Sequence, residues 1–198
     1  LGCGYGIFSN LMAFQSSKRK VIGIDLSTKR IKLASKTIRE RKNIQFVDGN
    51  LKDIKLEKCG TVVIYDVLHH MNYKAQEVLI KECYEKLEEN GLLVIKDNDT
   101  TPGWKFFWNY LHELATMFLL ITKSEKLSFR TKNGFIELLF KNGFIVEAVN
   151  IPTNLPYPFI LYLCKKVEKK KADKGIVFIN SPLSLEERYG AIAKGGRN

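Results

Sequence analysis

The residues best placed to do chemistry open the chain. Gly2, Gly4 and Gly6 alternate in the run Leu1-Gly2-Cys3-Gly4-Tyr5-Gly6. Glycine accepts positive φ and lets a ligand approach the backbone without meeting a Cβ. A helix expected from about Ile7 turns its free N–H groups toward the same loop. A pyrophosphate-binding fingerprint would place glycine at position 7, where this chain has Ile7, so the spacing argues against a nicotinamide oxidoreductase. Asp25 lies at the end of the next expected strand, where a carboxylate can accept both hydroxyls of a ribose; it can equally cap the following helix beside Ser27. Asp48 ends the strand after that. It can accept from an adenine amino group, or serve the turn Asp48-Gly49-Asn50. Taken together, on successive strand ends, these residues outline an adenosine pocket.

Such residues need a scaffold that gathers strand ends on one rim. Lys20–Asp25, Asn43–Asp48, Gly60–Asp66 and Leu92–Lys96 read as strands. Between them lie helices. Ser27 is positioned to cap one with Ile31, Ala34 and Ile38 inward. Asn72 is positioned to cap another with Ala75, Val78, Leu79, Cys83 and Leu87 inward, stopped at Gly91. An aromatic-rich segment, Trp104–Ile121, follows. Thr131 is the expected cap of a further helix, and the strands Phe144–Val149 and Phe159–Cys164 close the unit. Alternation of this kind predicts an α/β fold, a doubly wound parallel sheet with helices on both faces, and a ligand at the carboxyl ends of the strands.

Composition agrees with a packed domain. The chain has 198 residues, 45% hydrophobic and 27% charged, which excludes disordered, collagen-like and coiled-coil classes. No apolar run reaches the roughly 18–20 residues a spanning helix needs. The net charge of +11 favours contact with polyanions or anionic lipid. The surplus gathers in residues 18–42 and 165–174, and neither run interleaves aromatics as a nucleic-acid platform does, so nucleic acid is not the expected partner. Four cysteines show no C-x-x-C spacing, which gives no zinc knuckle or thioredoxin motif; a reduced, cytoplasmic setting is expected. Leu1 stands directly before a glycine turn that needs a strand feeding into it. The first strand is therefore expected to be largely missing, and the chain to be part of something longer.

The segments LGCGYG, VIGIDLS, IQFVDGN, YDVLHHM and GLLVIKD, in this order and spacing, resemble the class I S-adenosylmethionine-dependent methyltransferases over residues 1–166. The resemblance implies a Rossmann-like sheet of order 3-2-1-4-5-7-6 with the seventh strand antiparallel, and S-adenosylmethionine as cofactor. It places Gly2, Cys3, Gly4 and Gly6 against the methionine moiety and sugar. It gives Asp25 to the ribose, Leu26 to the adenine face, and Asp48 with Gly49 to the adenine amine. Asp66 and Leu68 border the cofactor's methionine end. The family's acid before the fourth strand is replaced by Cys59-Gly60.

A methyl group on a sulfonium is already activated, so transfer is an in-line displacement that depends on alignment. An acceptor hydroxyl also needs a base. His70 is the leading candidate, with His69 and Asp97 beside it; Asp99 faces the same rim or begins a loop. Acids at neighbouring strand ends could hold magnesium, but the sequence identifies no third ligand, and no metal is expected. Trp104–Ile121 is more apolar than one buried stripe requires. It is either a helix buried on two sides or a hydrophobic lid over a small-molecule or lipid-linked acceptor, in peripheral contact with a membrane. Residues 167–174 read as a charged linker. Residues 175–198 read as the start of a second domain or a C-terminal extension; their first part resembles the opening of the cobalamin-binding domain found ahead of radical S-adenosylmethionine domains. The competing function is a non-catalytic, cofactor-binding accessory module of such a fused enzyme.

Overall fold

The computed structural model describes residues 1–51, 53, 55–119 and 126–166. The expected linker and second domain, 167–198, lie outside the described residues. Among the described residues, six strands and five helices follow one another in the order α1 Ile7–Phe14, β1 Val21–Asp25, α2 Thr28–Lys36, β2 Ile44–Asp48, β3 Cys59–Tyr65, α3 Tyr73–Lys86, β4 Leu87–Asn98, α4 Gly103–Phe118, α5 Lys132–Lys141, β5 Phe144–Asn150 and β6 Phe159–Lys166. A 3-10 turn, Leu68–His70, follows β3.

β1 and β2 pair in parallel, as do β3 and β4. β6 runs antiparallel between β4 and β5, which gives the order β3-β4-β6-β5. Leu1–Cys3 joins the two groups of strands. The Leu1 nitrogen donates to Val63 O at 2.6 Å, and Cys3 N donates to Ile24 O at 2.8 Å. Read across, the order is the expected one, with Leu1–Cys3 in the place of the first strand.

The expected helix caps form. Ser27, Asn72 and Thr131 each accept a backbone N–H from the residue three positions on, satisfying a donor that the first turn leaves open. Two expectations for α3 need correcting. It ends at Lys86 rather than Gly91, because β4 already begins at Leu87 and bulges where Cys59 pairs with Leu87 but Thr61 with Leu92. Asn90, at φ 62°, turns the backbone through that bulge. Its inward stripe also differs: Val78 is exposed, while Gln76 and Ile80 are fully buried.

The main core packs α3 and α5 onto the sheet through Ile64, Leu79, Cys83, Ile95, Phe135, Leu139 and Tyr162. A second cluster of Ala13, Ile31, Ala34, Ile44 and Phe46 sits beneath α1 and α2. These two cores set the height of every strand end, and so of the rim where the candidate residues stand.

Candidate functional site

The glycine turn is shaped from behind. A Cβ on Gly6 would overlap the Phe46 ring, and one on Gly2 would overlap the Val67 side chain. Gly4, at φ +55°, faces open space, with nothing within 4 Å of where its Cβ would stand. Here the backbone is bare to an incoming molecule. Asp25, buried at the end of β1, ties this turn down: Oδ2 accepts from Gly4 N at 2.8 Å and Oδ1 accepts from Ser27 N at 2.9 Å. The capping role and the ribose role therefore share one carboxylate. A carboxylate offers about four lone-pair sites, so two acceptor positions remain. Leu26, beside it, is an exposed apolar side chain. Asp48 stands opposite Asp25 in the strand register and accepts from Thr28 Oγ1 at 3.2 Å. Gly49 N donates to Asp25 O at 3.0 Å, which holds the two strand ends together.

On the other side of the turn, Asp66 follows β3 with φ 51°. It accepts from Lys96 Nζ through both oxygens, at 2.7 and 2.6 Å. The Lys96 ammonium also lies 3.4 Å from the centroid of the Phe159 ring. Burial raises the Asp66 carboxyl above its ordinary range, and the Lys96 charge offsets part of that rise. Asp66 is 37% exposed and Lys96 only 4%, so the pair is asymmetric. Asp66→Ala strands a buried ammonium and is expected to cost about 2–3 kcal/mol. Lys96→Met leaves a carboxylate that reaches water and is expected to cost less. Urea unfolding of the two variants measures the difference.

The histidines form a separate cluster. His69 Nδ1 lies 2.6 Å from Asp97 Oδ1, and both side chains are almost wholly buried. The His69 ring stacks on Phe129 at 5.0 Å between centroids. Glu113, reaching inward from α4, brings Oε1 to 3.7 Å from His69 Nε2 and Oε2 to 3.7 Å from His70 Nε2. Burial alone would lower the His69 pKa, but Asp97 and Glu113 outweigh it and raise it to about 10. His70 is pushed down to about 4, first by burial and then by the charge on His69. Burial would raise both acids; the nearby histidines instead hold Asp97 and Glu113 low. Asp66, His69 and Asp97 each offer an atom within 4.8 Å of the others. His69 thus links the Asp66 side of the rim to His70 and to Glu113 of α4.

Asp99 does not join this cluster. Its oxygens accept from Thr100 N, Lys132 N and Thr101 Oγ1 at 2.6–2.9 Å, so it organises the loop and the start of α5. His112 is exposed and meets the Tyr157 ring at 5.7 Å.

Residues 1–95 match the methyltransferase domain family. In fold, the chain is similar to the crystal structure of magnesium protoporphyrin IX methyltransferase from Synechocystis with bound S-adenosylhomocysteine: the TM-score is 0.64, the identity 19%, and the match covers 83% of this chain and 71% of that one. The chain has the Rossmann-like methyltransferase fold, and its first 95 residues match the methyltransferase domain family. It is similar to malonyl-[acyl-carrier protein] O-methyltransferase of Priestia megaterium, 24% identical over 168 residues, covering 85% of this chain and 58% of that protein. It is also similar to carboxy-S-adenosyl-L-methionine synthase of Helicobacter pylori, 27% identical over 96 residues, covering 48% of this chain and 40% of that protein. The chain therefore spans about half the length of these curated relatives.

Three polar residues at or behind this rim escape sequence reasoning. Glu113 sits in an aromatic-rich helix, and only its position on the inward face marks it. Lys96 ends the apolar run Leu92–Lys96; a lysine inside such a strand is the one signal that could have found it. Gln76 reads as a surface residue of α3. It is fully buried and donates to Leu68 O, Met71 O and Ser128 O at 2.8–3.0 Å, holding the histidine turn in place.

Proposed function

We propose that the domain transfers a methyl group from S-adenosylmethionine, by in-line displacement, to an oxygen of a small-molecule or lipid-linked acceptor seated beneath α4. The observation that carries this reading is the position of His69 between two groups of residues. Asp66 stands on one side, next to the glycine turn, and Glu113 with His70 stands on the other. A sulfonium held by the first group would present its methyl toward an acceptor held by the second. Gly2, Cys3, Gly4 and Gly6 with Asp66 and Leu68 take the methionine and sugar end. Asp25 takes the ribose hydroxyls; Leu26, Asp48 and Gly49 take the adenine. His70 and Glu113 contact the acceptor and activate it. His69, locked by Asp97, positions them. The name of the Priestia relative supports an oxygen acceptor.

The two faces of α4 support a lipid-linked acceptor. Trp104, Phe107, Trp108, Leu111, Leu114 and Phe118 are all exposed, and at ~3.6 residues per turn they fall within roughly a third of the helix circumference. Glu113 and the buried Asn109 lie on the opposite side. An exposed stripe of Trp, Phe and Leu on a chain with net charge +11 suits the interface of an anionic membrane. No helix among the described residues is long and apolar enough to cross one. Co-sedimentation with anionic vesicles at low salt is expected, and loss of that binding in the Phe107→Ala/Trp108→Ala double variant. Wild-type chain left in the supernatant would overturn the membrane part of the proposal.

The competing reading is an accessory module that binds the cofactor without using it. Calorimetry with S-adenosylmethionine tests the binding shared by both readings. Formation of S-adenosylhomocysteine in the presence of candidate acceptors supports only the first.

A further inference from the structure

The geometry points to a divalent transition-metal site formed by His69 Nε2, His70 Nε2 and the Glu113 carboxylate, with the metal acting as Lewis acid on the acceptor oxygen. The inference rests on the reading that this cluster faces the acceptor, and one of its ligands, Glu113, is a residue that no sequence spacing reveals. Three observations carry it. First, the three residues each offer a ligand atom within 4.8 Å of the others. Second, His69 is 98% buried, and among the described residues its Nε2 makes no hydrogen bond, only the loose 3.7 Å ion contact with Glu113. A buried polar atom left this way is costly unless something else engages it. Third, its other nitrogen is bound to the buried Asp97 carboxylate at 2.6 Å. This is the outer-shell arrangement that fixes ring orientation in metal-ligating histidines, and metal binding at Nε2 displaces to solvent the proton that the imidazolium carries there.

The distances discriminate between occupants. At 3.7 Å, both imidazole–carboxylate separations exceed hydrogen-bond reach. They are close to the ~3.4 Å edge of a tetrahedron with ~2.1 Å metal bonds. Two imidazoles and one carboxylate select zinc- or iron-like ions over magnesium or calcium, which prefer oxygen. The alternative trio, Asp66, His69 and Asp97, is already engaged, because Asp66 binds Lys96 and Asp97 binds His69 Nδ1. Three protein ligands leave a coordination position open, as in catalytic rather than structural zinc sites. An acceptor hydroxyl bound there loses its proton to solvent at lowered pKa. The resulting oxygen attacks the sulfonium methyl: the O–C bond forms, the S–C bond breaks, and the electron pair stays on sulfur.

Cobalt(II) titration of the full chain, followed by visible absorption, tests the site. One cobalt per chain, displaced by zinc, is expected. Binding should weaken about 100-fold or more in His70→Ala and Glu113→Gln, and roughly 10–100-fold in Asp97→Asn, which alters only the outer shell. His112→Ala, at an exposed neighbour of Glu113, should leave it unchanged. Absence of cobalt binding, or binding indifferent to both His70→Ala and Glu113→Gln, overturns the site. If those variants misfold, imidazole nitrogen NMR of the wild-type chain decides instead: zinc must shift both His69 and His70. S-adenosylmethionine affinity is measured on the same samples. A chain that binds the cofactor but no cobalt loses only the metal, and a chain that binds cobalt but not the cofactor loses the methyl-transfer reading.

Discussion

Asp25→Ala is expected to weaken S-adenosylmethionine binding by about 100- to 10,000-fold. Two hydroxyl-to-carboxylate hydrogen bonds of ~1.5–3 kcal/mol each are removed, and ~1.4 kcal/mol corresponds to a factor of ten in affinity. The same carboxylate holds Gly4 N and Ser27 N, so the glycine turn also loses its anchor and must be ordered by the ligand itself. That second effect sets Asp25 apart from Asp48, which is exposed and, among the described residues, accepts from Thr28 Oγ1. Asp48→Ala is expected to cost about tenfold. Isothermal titration calorimetry on both variants gives the ratio. Undiminished affinity in Asp25→Ala would remove the nucleoside pocket and the functional reading built on it.

The largest stability effect is expected at Gln76. Its two amide protons are shared among three carbonyls, and its oxygen accepts from Arg130 Nε at 2.7 Å. Gln76→Leu preserves much of the volume but leaves Leu68 O, Met71 O and Ser128 O buried with fewer donors. Each unsatisfied group costs ~1–3 kcal/mol, for a total of about 3–5 kcal/mol. In a chain of this size, that lowers the melting temperature by roughly 6–20 °C. Arg130 keeps its contact with Glu77 at 3.0 Å, so the loss is confined to the histidine turn and the strip at 128–130. Ser128 N donates to His69 O at 2.8 Å. Loosening this strip therefore moves His69 and the Phe129 ring on which it stacks. Thermal denaturation followed by circular dichroism checks the stability. A melting point within about 2 °C of wild type would show that Gln76 does not hold the turn.

Much of the architecture was legible because its signals are local. Strand runs ending in acid, caps three residues ahead of their partners, and alternating glycines all report on neighbours along the chain. The exception was the end of α3. Gly91 looks like a helix stop, but Leu87–Asn90 had already been drawn into β4, because pairing with Cys59 competes with the helix for the same backbone groups. In the candidate site, Asp25 and Asp48 were readable as strand-end acids. Whether Asp25 serves the cap or the ligand was not readable, and its two oxygens, each holding one backbone N–H, leave room for both.

By its order of residues alone, this chain determined the alternating α/β layout, the bare glycine turn, the acids at successive strand ends and the pair of histidines after β3. Periodicity, capping and glycine's freedom act over a few residues, and a sequence displays them directly. Tertiary structure decided which side chains face one another across the rim. It brought Glu113 to His69 and His70, Asp97 to His69 Nδ1, Lys96 to Asp66, and Gln76 into the core. Those pairings join residues far apart along the chain. They exist only because α3, α4 and the sheet pack at fixed heights, and no local pattern records the partner that packing will supply.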